Sequence, residues 1–203
     1  MERIIVAITG ASGSIYAKRL VEFLLKKSYQ VDLLVTDAGK EVIKHEIGLD
    51  LINSDDISKT LEDYFGYICE GKLRYREITN LTADIASGSV NAKAMVVVPC
   101  TMGTIAAIAT GSSDNLLERA ADVMLKEKRR LILVPRETPL STIHFRNMLA
   151  LSEMQVDIVP AMPAFYHKPQ SIDDLVNFIV GKILNLLQIE HNLFTPWRGE
   201  SIF

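Results

Sequence analysis

The apolar run Ile4-Ile5-Val6-Ala7-Ile8 leads into a turn of small residues, Thr9-Gly10-Ala11-Ser12-Gly13-Ser14, and then into a segment with apolar residues at 17, 20, 21, 24 and 25. A short unbroken apolar run reads as a buried strand, and the later spacing is helical. The turn therefore joins a strand to a helix. Gly10 and Gly13 allow close backbone approach, and N–H groups at a helix N-terminus face an anion, most often a phosphate. Ser12 and Ser14 add hydroxyl donors. The spacing is G-x-x-G and not G-x-G-x-x-G, which favours a single phosphate, as in a mononucleotide such as FMN. A tight turn with a serine cap and no ligand has the same sequence.

The pattern repeats along the chain. Val31–Thr36 predicts a second strand with Thr36 at its C-terminal end, followed by a helix from Asp37 to His45 with Val42 and Ile43 inward. Residues 46–85 carry the weakest signals: a helix at Ile57–Tyr67 and a short strand at Leu73–Ile78. Ala86-Ser87-Gly88-Ser89 suits either a plain loop or close approach to a ligand. Ala94–Cys100 is nearly all apolar, the mark of a central parallel strand. It ends in Thr101-Met102-Gly103-Thr104, a second polar, glycine-bearing strand-to-helix turn. A helix at Leu116–Lys128, a strand at Leu131–Pro135, a helix at Ser141–Glu153, a strand at Val156–Val159 and a helix at Ser171–Leu187 follow. Alternating strands and helices predict a doubly wound parallel sheet, Rossmann-like or flavodoxin-like, with helices on both faces. Residues 1–190 form one domain, and 191–203, with Phe194 and Trp197, form a C-terminal arm suited to packing on a neighbour or to fraying.

Composition narrows the function. With 203 residues, 48% of them hydrophobic, the chain can bury a sizeable core. A net charge of −3 gives no basic footprint for nucleic acid, and no apolar stretch reaches the roughly 18 residues of a membrane helix. The first strand begins near Arg3, which leaves no room for a secretory leader. Cys69 and Cys100 lack metal-ligand spacing, and His45, His144, His167 and His191 make no zinc pair. The expectation is a cytoplasmic protein with no metal.

Ser12, Thr36, Thr101, Thr104, Arg136 and Glu137 all fall at C-terminal strand ends, the edge where open α/β sheets bind ligands. Hydroxyls and Arg136 suit a phosphate. Glu137 beside a phosphate pocket suits proton handling. At these positions the chain resembles the flavin prenyltransferases of the UbiX type. The likeness runs from about Glu2 to Trp197 through T-G-A-S-G at 9–13, A-S-G-S at 86–89 and P-C-T-M-G-T at 99–104. It continues through L-L-E-R-A-A-D-V-M-L-K-E-K-R-R at 116–130, V-P-R-E-T-P-L at 134–140 and P-A-F-Y-H-K-P-Q-S at 163–171.

The resemblance implies transfer of a dimethylallyl group from dimethylallyl monophosphate to N5 and C6 of reduced FMN, for use by a UbiD-type decarboxylase. It implies that Gly10, Ala11, Ser12, Thr36, Thr101, Met102, Gly103, Thr104 and Arg136 hold FMN. Ser12, Glu46 and Glu137 match catalytic positions, and Arg119, Lys126, Tyr166 and Lys182 match the prenyl-phosphate site. It also implies a homo-oligomer, usually a dodecamer, in which Tyr166 and Lys182 reach a neighbouring subunit's site. Two positions depart from common members: Lys182 where many carry Arg, and Leu81 where some carry Trp. Lysine keeps the charge and loses the bidentate fork. The alternatives are an FMN-dependent decarboxylase of the cysteine-decarboxylase fold group and a non-catalytic flavin carrier. The former resembles the chain at Ser113–Leu117 but has P-A-S-A-N-T in place of 99–104 and lacks R-E-T-P.

Overall fold

A computed structural model describes residues 1–66 and 70–196. In chain order the elements are β1 (Arg3–Ile8), α1 (Ser14–Lys26), β2 (Gln30–Val35), α2 (Asp37–Ile47), α3 (Ile57–Phe65), β3 (Leu73–Arg76), β4 (Ala94–Cys100), α4 (Met102–Thr110), α5 (Leu116–Lys126), β5 (Arg130–Pro135), α6 (Thr142–Glu153), β6 (Asp157–Ile158) and α7 (Ile172–Leu186). The six strands form one sheet in the order β3-β2-β1-β4-β5-β6, and every adjacent pair is parallel. The predicted doubly wound sheet is thus the observed one, in the strand order 3-2-1-4-5-6 of dinucleotide-binding folds.

Side chains alternate across the sheet, as a strand's period of two requires. Ile4, Val6 and Ile8 face one apolar layer with residues of α1, α2, α3 and α7, while Ile5 and Ala7 face the other with α4, α5 and α6. In α1, the predicted inward positions Ala17, Leu20, Val21, Leu24 and Leu25 are all buried. Of the pair expected inward in α2, Ile43 is buried and Val42 only half-buried.

The expected 73–78 strand stops at Arg76, because the chain turns there: Asn80 N–H donates to Glu77 O, and Ile78 O accepts from Leu116 N–H at 2.8 Å. The helix expected to reach Tyr67 ends at Phe65, with Gly66 at φ +62°. The strand at 156–159 shortens to two residues at the sheet edge. Residues 191–196 begin the arm by packing on the chain's own α7. A side chain at Gly181 would come within 2.4 Å of the Phe194 ring. Cys69 and the arm beyond Pro196, Trp197 included, lie outside the described residues.

Periodicity hides one feature of β2. Asp32, fully buried, faces the same layer as Leu34. Three arginines neutralise it: Arg3, Arg76 through Nε at 2.7 Å and Arg74 at 3.4 Å. Arg3 and Arg76 also reach Asp84, at 3.0 Å each. Burial pushes the Asp84 carboxyl up, but these arginines outweigh it and hold it below its ordinary value. The cluster pins the β3–β4 connection across β1 and β2. Removing the central charge takes from Arg74 this carboxylate and leaves Arg3 and Arg76 with Asp84 alone, so Asp32→Asn is expected to cost about 1–3 kcal/mol. Urea unfolding would read this as a lower midpoint with an unchanged slope.

Candidate functional site

The chain leaves β1 toward β2 on one side, and the β3–β4 connection returns to the other side of β1. This reversal opens a crevice between the C-terminal ends of β1 and β4. The turns after β2 and β5 flank it. Gly10, Ser12, Thr36, Thr101, Met102, Gly103, Thr104, Arg136 and Glu137 therefore share one edge, as the sequence predicts.

The turn after β1 is shaped by its glycines. Gly13 has φ +117°, a conformation that favours glycine. A side-chain carbon on Gly10 would lie 2.6 Å from Ala38 Cβ, so this turn rests directly on the start of α2. Ala11 is buried and Ser12 is exposed. Thr36 caps α2, its hydroxyl accepting from Gly39 N–H at 3.1 Å. Thr101 caps α4 by accepting from Thr104 N–H at 3.2 Å, and its hydroxyl lies 2.9 Å from that of Thr104. The first-turn N–H groups of α2 and α4 have no intrahelical acceptor and point toward the crevice end of the sheet.

The N-terminus of α1 departs from the expectation. Gly13 provides no side-chain cap. Glu46, at the far end of α2, supplies a carboxylate instead: Gly13 N–H donates to both oxygens, at 3.1 and 3.0 Å, and Ser14 N–H to Oε2 at 2.7 Å. The donors assigned to a phosphate from sequence are thus held by the chain's own anion, because a helix N-terminus stabilises any nearby negative charge. Gly10, Ala11 and Ser12 make no backbone donor bond within the described residues. Partial burial pushes the Glu46 carboxyl up, but donation from the Ser12 side chain and the Gly13 and Ser14 backbone outweighs it, leaving it below its ordinary value.

Arg136 and Glu137 are exposed at the end of β5, with Arg136 N–H donating to Cys100 O at 3.4 Å. Glu137 accepts from Thr138 N–H at 3.0 Å. Cys100 is buried, and burial pushes its thiol well above the ordinary value. It is a packing residue, as is His144, whose Nδ1 accepts from Ser141 N–H in the cap of α6.

The four expected prenyl-phosphate residues fall into two groups. Arg119 and Lys126 lie on α5 beside the 86–90 loop. Arg119 donates through Nε to Ala86 O at 3.1 Å and through NH1 to Asp122 at 2.8 Å, so much of its guanidinium holds the loop. Arg129 grips the same loop at Gly88 O and Val90 O. Lys126 is exposed and pairs with Glu127 at 3.0 Å. Tyr166 and Lys182 instead line a cavity of about 910 Å³ with residues of the arm, including His191 and Phe194. The Lys182 ammonium sits 5.5 Å from the Phe178 ring centroid and 5.8 Å from that of Phe194. None of the crevice residues lines this cavity. Among the described residues no group of three His, Cys, Asp or Glu side chains could hold a metal, and no helix is long and apolar enough to cross a membrane.

A doubly wound parallel sheet with donor-rich turns at its switch point defines a nucleotide-binding α/β protein. Comparison with known proteins narrows the class. The family model described as Flavoprotein matches residues 1–184. The flavin prenyltransferase UbiX of Halalkalibacterium halodurans is 52% identical over 195 residues, 96% of this chain and 93% of that protein. The crystal structure of AnUbiX (PadA1) in complex with FMN and dimethylallyl pyrophosphate superposes with a TM-score of 0.86 at 38% identity, covering 98% of this chain and 99% of the other. A dodecameric FMN-dependent UbiX-like decarboxylase from Escherichia coli O157:H7 gives a TM-score of 0.84 at 37% identity, covering 97% and 100%. The chain belongs to the flavoprotein family and, within it, to the flavin prenyltransferases of the UbiX type.

The Glu46 cap makes a pH prediction. Its carboxyl is lowered on folding, so its contribution is complete above the unfolded value of about 4.3 and is lost as pH falls through the lower folded value. Glu46→Gln is expected to cost roughly 0.5–1 kcal/mol near neutral pH, the range for a partly exposed charge at a helix end. The difference should close as pH drops below about 4. Thermal melts of both proteins against pH would check it.

Proposed function

We propose that this chain is a flavin prenyltransferase that moves a dimethylallyl group from a dimethylallyl phosphate to reduced FMN. FMN supplies the nucleophilic ring atoms. The donor set fits it: the turn at Gly10–Ser12, the starts of α2 and α4 and the Arg136 guanidinium suit one phosphate and a planar polar ring.

The observation that carries the proposal is the unequal state of the two carboxylates. Glu46 is engaged by two backbone N–H groups and the Ser12 side chain. A carboxylate held in that way is a poor base, and its role is to fix Ser12 and the first turn of α1. Glu137 lies exposed beside Arg136 with one local hydrogen bond, and is available to accept the proton released in ring closure. A flavin carrier has no use for it. Lys126, Arg119, Tyr166 and Lys182 take up charge on the departing phosphate. The monophosphate is the expected donor; the 38%-identical relative was crystallised with the pyrophosphate. The recipient is a decarboxylase of the UbiD type. The experiment is anaerobic incubation with reduced FMN and each donor, read by flavin mass spectrometry. Glu137→Gln should bind FMN normally and form prenylated flavin about 10²–10⁴-fold more slowly; an unchanged rate would leave the departing phosphate as the base.

The complete site is shared between subunits. Tyr166 and Lys182 sit apart from the crevice on their own chain, and α6 exposes Ile143, Phe145 and Leu149 at 62%, 57% and 60%. Apolar side chains so exposed on one helix suit a second copy of the chain. Mixing unfolded Glu137→Gln and Lys182→Ala subunits and refolding them together should restore activity that neither variant has alone. Failure of the mixed oligomer to exceed either parent variant would exclude a composite site.

A further inference from the structure

Thr9 has no part in the ligand set above, yet it is 1% exposed at the point where β1 and β4 part. The parallel ladder between these strands runs from Ile4↔Ala94 to Ala7↔Val97 and stops. Beyond it, Pro99 has no N–H to give, and the β4–β5 register shifts between Val97 and Cys100. Here Thr9 takes over the pairing. Its N–H donates to Pro99 O at 3.2 Å, its hydroxyl donates to the same carbonyl at 2.8 Å, and Thr101 N–H donates to the hydroxyl at 2.9 Å. The hydroxyl is thus both donor and acceptor between two turns that are 92 residues apart in sequence.

The same edge continues on both sides. Thr36 N–H donates to Ile8 O at 3.0 Å, next to Thr9, and Arg136 N–H donates to Cys100 O at 3.4 Å, next to Pro99. All four crevice turns are therefore tied in one row of hydrogen bonds. The middle link, between the turn at 9–14 and the turn at 101–104, is the one to which a side chain adds: beside the Thr9 N–H bond to Pro99 O, the hydroxyl makes two more. We propose that Thr9 is a positioning residue that sets the spacing of these two turns, and through it the fit of FMN. Valine matches threonine in shape and lacks both functions of the hydroxyl; it would leave Thr101 N–H without its acceptor and free the start of α4 to shift. Serine keeps the hydroxyl. This inference rests on the placement of FMN in the crevice.

The test is FMN titration of the full-length parent, Thr9→Val and Thr9→Ser by flavin fluorescence, with amide hydrogen exchange over residues 99–104 in the flavin-free proteins. Thr9→Val should weaken FMN binding about tenfold, because it removes both hydrogen bonds of the buried hydroxyl. It should also speed exchange at 99–104 and alter the visible circular dichroism of the bound flavin. Thr9→Ser should restore all three. Parent-like binding and exchange in Thr9→Val would overturn the brace. Should Thr9→Val yield no folded protein, Thr9→Cys, which keeps the size with a weak donor, decides by the same titration against Thr9→Ser; equal affinities overturn the proposal. The FMN placement is tested separately by Ser12→Asp. Unchanged affinity there removes the placement and the brace with it, whereas lost affinity there with parent-like Thr9→Val removes the brace alone.

Discussion

A parallel sheet buried on both faces cannot close its strands with hairpins. Each connection must run back over a face, so every strand-to-helix turn emerges at the same edge. That constraint gathers residues 10, 36, 101 and 136 without any of them interacting in the sequence. It also places the first-turn donors of several helices along one line. The reversal of winding between β1 and β4 then turns the line into a crevice, because no crossover covers the gap. The chemistry of the site is therefore a consequence of topology first and of residue type second.

The edge is polarised, and the chain manages that polarity with its own groups. A helix start is attractive to any anion, and Glu46 reaches the start of α1 from the end of α2. The carboxylate satisfies donors that would otherwise meet solvent or ligand. The backbone N–H groups of Gly10, Ala11 and Ser12 are not taken up in this way. At the other face, Asp32 and Asp84 bind four elements through Arg3, Arg74 and Arg76. This holds the β3–β4 connection, and Arg119 and Arg129 hold its far end. The 86–90 loop is thereby braced on both sides, next to Lys126.

The division of Tyr166 and Lys182 from the crevice has a geometric origin. They belong to the loop before α7 and to α7 itself, where the arm residues His191 and Phe194 close the cavity around them. None of the residues of the turns after β1, β2, β4 and β5 lines that cavity. The exposed apolar residues of α6 lie on the chain segment that follows Arg136 and Glu137.

Sequence by itself determined the layered architecture and most of the crevice. Apolar runs of strand length and the 17, 20, 21, 24, 25 spacing of α1 depend only on local periodicity, and the strand-to-helix turns follow from them. The motifs at 9–13, 99–104 and 134–140 brought the family with them. Tertiary structure decided what depends on contacts between distant segments. Glu46 reads as a surface acid until α2 carries it to α1, 33 residues away. Asp32 reads as a polar break in an apolar strand until three arginines from β1 and β3 surround it. Thr9 reads as the first letter of a glycine motif until β4 lies beside it. In each case the deciding term is a hydrogen bond or a charge pair between distant segments, and such terms exist only once the fold brings those segments together.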